Sequence, residues 1–578
     1  MTADLCPPVT AEFAATVVDE WVRGGVTDAV VAPGSRSAPL ALALARNGRI
    51  RVHVVVDERS AAFLALGIGR ESRRPAVVCC TSGTAGAHFH PAVMEADLAG
   101  VPLLVCTANR PPELLDTGAG QTVEQHHLFG GAVRWFAAPG PPIDLPDAGA
   151  VWRAVAARAV AETLGPPAGP VHLDLAFREP LVTDAHAEPR PGRTNGAPWT
   201  ATSRAQRRLA DDDIAALARR LRRVERGIVV AGWGADVEPE TATGLASRLG
   251  WPLLADPVSG LRVGPHAIST YDALLRVAPF ATAHRPDLVL RLGAPLTSKV
   301  ATAWLDPNVP QILVDPDARW LDPHRAASDR VGADAEPLLR ALLDAFEPAR
   351  VESSWLASWR AAERAARTAI DTCLDGDDTA FDARVARDVY EVVPDGGALL
   401  VASSLPVREL EWFARPRARE HSVRVHANRG ANGIDGLVST TLGIAAARTG
   451  PTVALLGDLA WLHDSNGLLA ARDLDRAVTF VVLDNGGGGI FHFLPAGGLA
   501  EREQLFTTPA GVDPVALAAA YGIDARRVER AAAVAPAVEA ALAAGGVRVV
   551  VVPTDRETTV ARHDRLWQAV AEALTSPS

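Results

Sequence analysis

Residues 452–485 read TVALLGDLAWLHDSNGLLAARDLDRAVTFVVLDN, and the fold turns on this stretch. Two β-branched apolar runs, 453–456 and 478–483, flank an Ala/Leu-rich amphipathic segment, the pattern of a strand, a crossover helix and a second strand. Strands joined in this way run parallel, and a right-handed crossover brings their carboxyl ends to one edge of the sheet. Gly457-Asp458 ends the first strand and Asp484-Asn485 the second, so Asp458 and Asn485 are expected to meet where open α/β sheets bind ligands. One carboxylate and one amide oxygen are hard donors suited to Mg²⁺, which keeps some of its water and takes phosphate oxygens as well. Gly486 to Gly489 expose backbone carbonyls and leave room for close approach. Taken singly, Asp458 reads first as a helix cap and Asn485-Gly486 as a turn; Asn485 follows Asp458 by 27 positions.

The same alternation continues outward. Strands are predicted over 29–32, 50–56, 76–80 and 103–108, each followed by a polar or Gly-containing loop and a helical segment. Pro, Gly, Asn and Arg without periodicity mark a linker over 183–206. A second set of strands is predicted at 227–231, 287–292 and 311–314, and a third at 398–402, 453–456, 478–483 and 547–552, with a bridging helix over 353–370. The expected fold is α/β: three doubly wound parallel-sheet domains in series, over 1–185, 206–348 and 376–578.

With 578 residues, 48% hydrophobic and 22% charged, the chain can bury several cores and does not have the composition of a disordered protein. Its formal charge of −11 is the wrong sign for binding nucleic acid through the whole surface. Residues 1–10 lack a basic stretch followed by an apolar run, and no segment of about 18 apolar residues occurs, so a soluble cytoplasmic enzyme with no membrane partner is expected. Cys6, Cys79, Cys80, Cys106 and Cys373 form no CxxC pair and read as reduced thiols. Lys299 is the single lysine beside 56 arginines, which marks a place where a compact point charge suits.

Gly-Asp followed at this distance by Asn and a glycine run resembles the diphosphate and magnesium motif of thiamine diphosphate (ThDP) enzymes. Many of these read GDG or GDS where this chain has Gly457-Asp458-Leu459-Ala460. The resemblance requires a glutamate at a strand end in another domain, and Asp57-Glu58-Arg59 supplies it. Further segments fall in one order: Ala32-Pro33-Gly34-Ser35-Arg36-Ser37, Thr81-Ser82-Gly83-Thr84-Ala85, Asn109-Arg110-Pro111-Pro112-Glu113-Leu114, Gly120-Gln121, and Asn428-Arg429-Gly430-Ala431 with Gly433-Ile434-Asp435-Gly436. From about Thr10 to Arg565 the chain is similar to the 2-succinyl-5-enolpyruvyl-6-hydroxy-3-cyclohexene-1-carboxylate synthase family of menaquinone (vitamin K2) biosynthesis.

That resemblance implies ThDP and Mg²⁺ or Mn²⁺ as cofactors. It implies a transferase that decarboxylates 2-oxoglutarate and adds the succinyl unit to isochorismate. Asp458, Asn485 and Gly487 would hold the metal, and Ser403, Ser404 and Ile434 would contact the cofactor. Glu58 would hydrogen-bond the aminopyrimidine and favour its imino tautomer, a task suited to a carboxyl with a raised pKa. Arg36, Arg110, Arg408 and Arg429 match substrate-site arginines, and guanidinium pairs bidentately with the carboxylates both substrates carry. Lys299 matches a further basic position; some members place an Arg directly after it, where this chain has Val300. Ser35 and Gln121 would orient substrate, although Gly120 stands where an Asn often precedes the Gln. Ile490, Phe491 and Leu494 would wall the thiazolium. The family completes its site across a dimer interface, which implies a homodimer or a dimer of dimers.

Other readings carry less. Ala231-Gly232-Trp233-Gly234 follows a strand but lacks the third glycine of a dinucleotide loop, which suggests a middle domain without FAD or NAD. Ser82 lacks the flanking G-x-S-x-G of a hydrolase nucleophile. His88, His90, His126 and His127 have no metal-ligand spacing. Two rivals remain at this point: a ThDP carboligase of a smaller 2-oxo acid, similar to acetohydroxyacid synthases, and a catalytically silent protein on the same fold. The matched arginines speak against the first, and the joint presence of Glu58, Asp458 and Asn485 speaks against the second.

Overall fold

The computed structural model describes residues 8–182, 186–347, 353–418 and 423–575, and places three parallel sheets in them. Cys6 lies outside the described residues. The first sheet contains β1 (Asp28–Val31), β2 (Arg51–Val54), β3 (Ala76–Cys80), β4 (Leu103–Asn109), β5 (Trp135–Ala137) and β6 (Pro170–Ala176), in the order β2-β1-β3-β4-β6-β5. The second contains β7 (Gly227–Ala231), β8 (Leu253–Ala255), β9 (Leu288–Leu292), β10 (Gln311–Val314) and β11 (Asp329–Val331), in the order β11-β10-β9-β7-β8. The third contains β12 (Ala398–Val401), β13 (Arg424–His426), β14 (Thr452–Gly457), β15 (Val478–Asp484), β16 (Asp524–Arg527) and β17 (Val547–Pro553), in the order β13-β12-β14-β15-β17-β16. The first and third sheets therefore share one topology, with strand order reversing beside β1 and β12, the kind of point at which such sheets bind ligands. Central strands are buried along their length, as both-face coverage by helices requires.

Six of these strands escaped the periodicity. β5, β8, β11, β13 and β16 are sheet edges of three or four residues, too short to show a pattern. β6 is an interior strand, but it opens on Pro170 and carries His172 and Asp174 among its buried residues. Both polar groups find a partner across the ladder: Thr107 Oγ1 meets His172 Nε2 at 2.8 Å and Asn109 Nδ2 donates to Asp174 Oδ2 at 3.0 Å, while Asp174 Oδ1 has no partner. The bridging helix spans Ser354–Asp375, with Ser353 Oγ accepting from the Leu356 N–H as its cap.

The chain packs as two compact units. The first consists of residues 1–204, 428–449 and 460–476. Here the helix Glu58–Ser72 crosses the helix Leu437–Ala446 at two glycines. A Cβ on Gly67 would stand 2.2 Å from the Thr440 carbonyl, and one on Gly443 would stand 2.1 Å from the Leu64 carbonyl. Only glycine at both places lets the two backbones touch. The segment after β14 docks on the head of the helix Glu58–Ser72. Asn466 Nδ2 donates to Asp57 at 2.9 Å, Arg59 donates to the His463 carbonyl at 2.7 Å, and Ser60 Oγ donates to Asp464 at 3.0 Å. Asp464 is fully buried and also accepts from the N–H and hydroxyl of Ser439. Burial pushes its carboxyl up to about 6, against the pull of those donors.

The second unit holds the other two sheets, residues 205–427, 450–459 and 477–578. Ile228 and Val230 of β7, Trp355, Trp359 and Ile370 of the bridging helix, Phe413, Leu566 and Val570 fall in one apolar cluster. Gly232 is taken up by packing, since a Cβ there would lie 1.9 Å from the Ala294 carbonyl. No helix among the described residues is long and apolar enough to cross a membrane.

Gly443→Ala is predicted to destabilise the protein by about 1–3 kcal/mol, reversing the roughly 1 kcal/mol gain Gly→Ala brings in an open helix. Gly244→Ala, whose Cβ would make ordinary contact with Leu343 at 3.4 Å, is predicted to be neutral or stabilising in the same denaturation experiment. The raised Asp464 pKa means the folded state holds a proton that the unfolded state releases, so this group's contribution to stability falls as pH rises from about 4 to 6. Relative to wild type, Asp464→Asn is therefore predicted to gain up to about 3 kcal/mol between pH 4 and 7. A melting-temperature difference that stays constant over that range would contradict it.

Candidate active-site residues

In the first unit, four of the expected residues gather at the carboxyl ends of β1, β3 and β4. Arg36 follows β1 and is buried; its backbone N–H donates to Thr81, and its guanidinium donates to the Phe177 carbonyl at 2.9 Å and to the exposed Glu179 at 2.8 Å. The turn approaches β3 closely, since a Cβ on Gly34 would fall 2.3 Å from that of Thr81. Arg110 follows β4 and donates through Nη1 to the hydroxyl of Ser82, the residue that opens the turn after β3. Gln121 has a positive φ of 57° and donates to the Ser82 carbonyl at 3.1 Å. Ser82 is thus the hub of this group, a role its failed hydrolase pattern did not suggest. Burial, with the Arg36 guanidinium second, lowers the pKa of Arg110, while Glu179 opposes the shift. A guanidinium depressed by a second one beside it marks a place whose electrostatic complement is a carboxylate. The Nε of Arg36 is buried without a partner. Ser35 is exposed on the same loop.

Glu58 is the first residue of its helix, capped by Asp57, which accepts from the Ser60 N–H. Its carboxylate is close enough to Cys80 to add, after burial and Cys79, to the forces that push that thiol well above its ordinary pKa. Arg429 and Ile434 lie half-buried in the loop 428–436 of the same unit, and Arg429 Nε is buried without a partner. Gly436, at φ 68°, ends the loop against Phe63, whose ring leaves no room for a Cβ.

In the second unit, β14 and β15 pair in register from Thr452 opposite Val478 to Gly457 opposite Leu483. That register sets Asp458 and Asn485 one and two residues beyond the last pair, on the same edge. Burial pushes the Asp458 carboxyl up to about 6; the Leu459 N–H pulls against it, Asp484 adds to the rise, and the N–H groups of Gly487 and Gly486 oppose it. Asp458 therefore faces the glycine turn after β15. Asn485 is buried, and its Oδ1 has no hydrogen-bond partner. Gly487 has a φ of 134°, and a Cβ there would lie 2.3 Å from the Thr507 carbonyl; its own carbonyl accepts from Gly489 at 2.9 Å and keeps a second lone pair. Arg556 braces the turn by donating to the carbonyls of Asn485 at 2.9 Å and Gly486 at 3.1 Å.

An orphaned buried amide oxygen, a carboxylate held beside it and a backbone oxygen that only glycine can present form a donor set that fits Mg²⁺ or Mn²⁺. Among the described residues no cluster of three or more His, Cys, Asp and Glu side chains offers an alternative metal centre.

Ser403 and Ser404 follow β12, and Ser404 is a non-glycine residue at φ 72°, ψ −131° heading the helix Leu405–Phe413. Strain of that kind, about 1–3 kcal/mol, marks a residue held for its position. Arg408, one turn on, donates to the Ser404 carbonyl. In the turn after Gly488, Ile490 packs against the apolar cluster and Phe491 lies 5.4 Å from the Phe506 ring, with Leu494 half-buried beyond them. Lys299 stands exposed at the head of the helix Lys299–Trp304, and Val300 packs inward.

Three segments match family models: residues 11–128 the thiamine pyrophosphate enzyme N-terminal TPP binding domain, 193–401 the middle domain of thiamine pyrophosphate enzymes, and 411–552 the C-terminal TPP binding domain. The chain is 45% identical over 578 residues to the 2-succinyl-5-enolpyruvyl-6-hydroxy-3-cyclohexene-1-carboxylate synthase of Thermobifida fusca, covering 98% of this chain and 100% of that one. It is 43% identical to the synthase of that name from Myxococcus xanthus, over 97% of each chain, and 42% identical to that of Chloroflexus aurantiacus, over 97% of this chain and 96% of that one. With three domain models matched in order and relatives this similar over almost their full length, the chain belongs to the thiamine diphosphate-dependent 2-succinyl-5-enolpyruvyl-6-hydroxy-3-cyclohexene-1-carboxylate synthase family.

Proposed function

We propose that this protein decarboxylates 2-oxoglutarate and adds the succinyl unit to isochorismate, giving 2-succinyl-5-enolpyruvyl-6-hydroxy-3-cyclohexene-1-carboxylate and CO₂ in menaquinone biosynthesis, with ThDP and Mg²⁺ or Mn²⁺ bound. The observation that carries the reading is the Arg36–Arg110 pair at Ser82 in a chain of this family. Both substrates are dicarboxylates, and guanidinium is the side chain that pairs bidentately with a carboxylate.

Bound ThDP supplies the carbanion chemistry that no protein side chain offers. The residues of the chain supply position, charge and proton control. Asp458, Asn485 and the Gly487 carbonyl hold the divalent ion, and Ser403 and Ser404 hold the diphosphate. Ile434 supports the cofactor from its apolar side. Glu58 holds a proton at the aminopyrimidine nitrogen. Arg110, Arg408, Arg429 and Lys299 receive substrate carboxylates, while Ser35, Arg36 and Gln121 fix the reacting carbonyl. Ile490, Phe491 and Leu494 exclude water beside the thiazolium. The domain limits 1–185, 206–348 and 376–578 belong to the same reading, as do a cytoplasmic location and a homodimer or dimer of dimers, supported by the way this family completes its site.

Omission of ThDP, Mg²⁺, 2-oxoglutarate or isochorismate, each in turn, is predicted to abolish isochorismate consumption. Turnover that survives without 2-oxoglutarate, or that uses only a smaller 2-oxo acid, would contradict the reading. Glu58→Gln is predicted to bind ThDP with nearly unchanged affinity and to slow deuterium exchange at the thiazolium carbon by about 10²-fold or more. Exchange at the wild-type rate would remove Glu58 from proton control.

A further inference from the structure

The loop that carries Arg429 is tied to an acid that the mechanism above does not use. Glu95 sits on the helix His90–Ala99 with no exposed surface. One of its oxygens accepts the Gly430 N–H at 3.1 Å; the other accepts those of Ala431 at 2.7 Å and Asn432 at 3.2 Å. Three successive backbone N–H groups thus converge on one buried carboxylate, and Arg70 pairs with it at 2.9 Å. The approach depends on Gly430, where a Cβ would stand 2.9 Å from that of Leu98 and 3.1 Å from Glu95 Oε2. On the other side of Arg429, Asn428 is fully buried and donates to Thr440 Oγ1 at 3.0 Å. Arg429 is therefore the one residue between two anchored stretches of backbone, and its buried Nε has no partner in the protein.

A buried carboxylate is costly unless its hydrogen bonds are made. Here three of them come from the loop, beside the Arg70 ion pair, and the loop is fixed in return.

We infer that Glu95 is a positioning residue that sets the direction of the Arg429 guanidinium toward a substrate carboxylate. This rests on the assignment of Arg429 to substrate binding made above. Glu95 touches neither substrate nor cofactor in this account; it acts through the backbone of residues 430–432.

The test uses full-length enzyme with ThDP and Mg²⁺, and compares wild type, Arg429→Ala, Glu95→Gln and the double variant, with KM and kcat measured for 2-oxoglutarate and isochorismate. Arg429→Ala is expected to raise one of the two KM values about tenfold or more, and Glu95→Gln to raise that same KM by a comparable factor with kcat within about threefold. The double variant is expected to be no worse than Arg429→Ala alone, because both changes remove one interaction. ThDP affinity is expected to be unchanged throughout. Effects that multiply, a KM unchanged in Glu95→Gln, or a fall in kcat with both KM values untouched would overturn the proposal. Should Glu95→Gln fail to fold, Gly430→Ala tests the same contact from the loop side: the same KM is expected to rise, and an unchanged KM would overturn the proposal. If Arg429→Ala leaves both KM values unchanged, the assignment of Arg429 falls and the proposal with it. A failure of the synthase reading itself would show in the wild type, whereas a failure confined to the Glu95 and Gly430 variants strikes the proposal alone.

Discussion

The ladder between β14 and β15 governs the chemistry available to the second unit. Because Gly457 pairs with Leu483, the residues just beyond them, Asp458 and Asn485, leave the sheet at one edge. A shift of one residue in a strand turns its side chains to the opposite face, and both strands are buried along most of their length, so the register is strongly held. The glycine turn completes the arrangement. Gly487 occupies a backbone conformation and a space that no side chain can share with the Thr507 carbonyl, and Arg556 pins the turn from behind. Asn485 Oδ1 is left buried and unpartnered. An unmet buried acceptor costs about 1–3 kcal/mol, and the proposed cation would satisfy this one.

The first unit rests on a different device, close backbone contact reinforced by buried acids. Gly67 and Gly443 let two helices meet carbonyl to Cα, and Asp464 and Glu95 each gather donors from a neighbouring segment. Both acids hold an element that carries a proposed functional residue: Asp464 grips Ser60, two positions after Glu58, and Glu95 grips the loop of Arg429. Buried polar groups whose donors come from several segments fix those segments in one arrangement, which an apolar contact of equal area does less sharply.

Much of this was legible in the sequence because the informative residues are glycines, acids and β-branched runs with fixed spacing. The parallel α/β architecture followed from the longer interior strands, whose runs are mostly apolar. The short edge strands and β6 were not legible, since three residues show no period and His172 and Asp174 break the apolar run of β6. Asp458 and Asn485 could be paired from the crossover rule alone. Glu95, Ser82 and Asp464 could not, because each acts through contacts with residues far away in sequence: Glu95 with 430–432, Ser82 with Arg110 and Gln121, Asp464 with Ser60. A buried Glu in the helix HPAVMEADLA reads as an ordinary polar helix position until its partners are seen.

The central claim is that Asp458, Asn485 and the Gly487 carbonyl hold a divalent ion that in turn holds the diphosphate. The most direct measurement is calorimetric titration of ThDP into wild type and Asn485→Ala, each with Mg²⁺ and with the metal chelated away. In wild type, chelation is expected to weaken ThDP binding by about tenfold or more; in Asn485→Ala, binding is expected to be weak with or without Mg²⁺. Equal ThDP affinity in wild type with and without the ion, or full Mg²⁺ dependence in Asn485→Ala, would contradict the account.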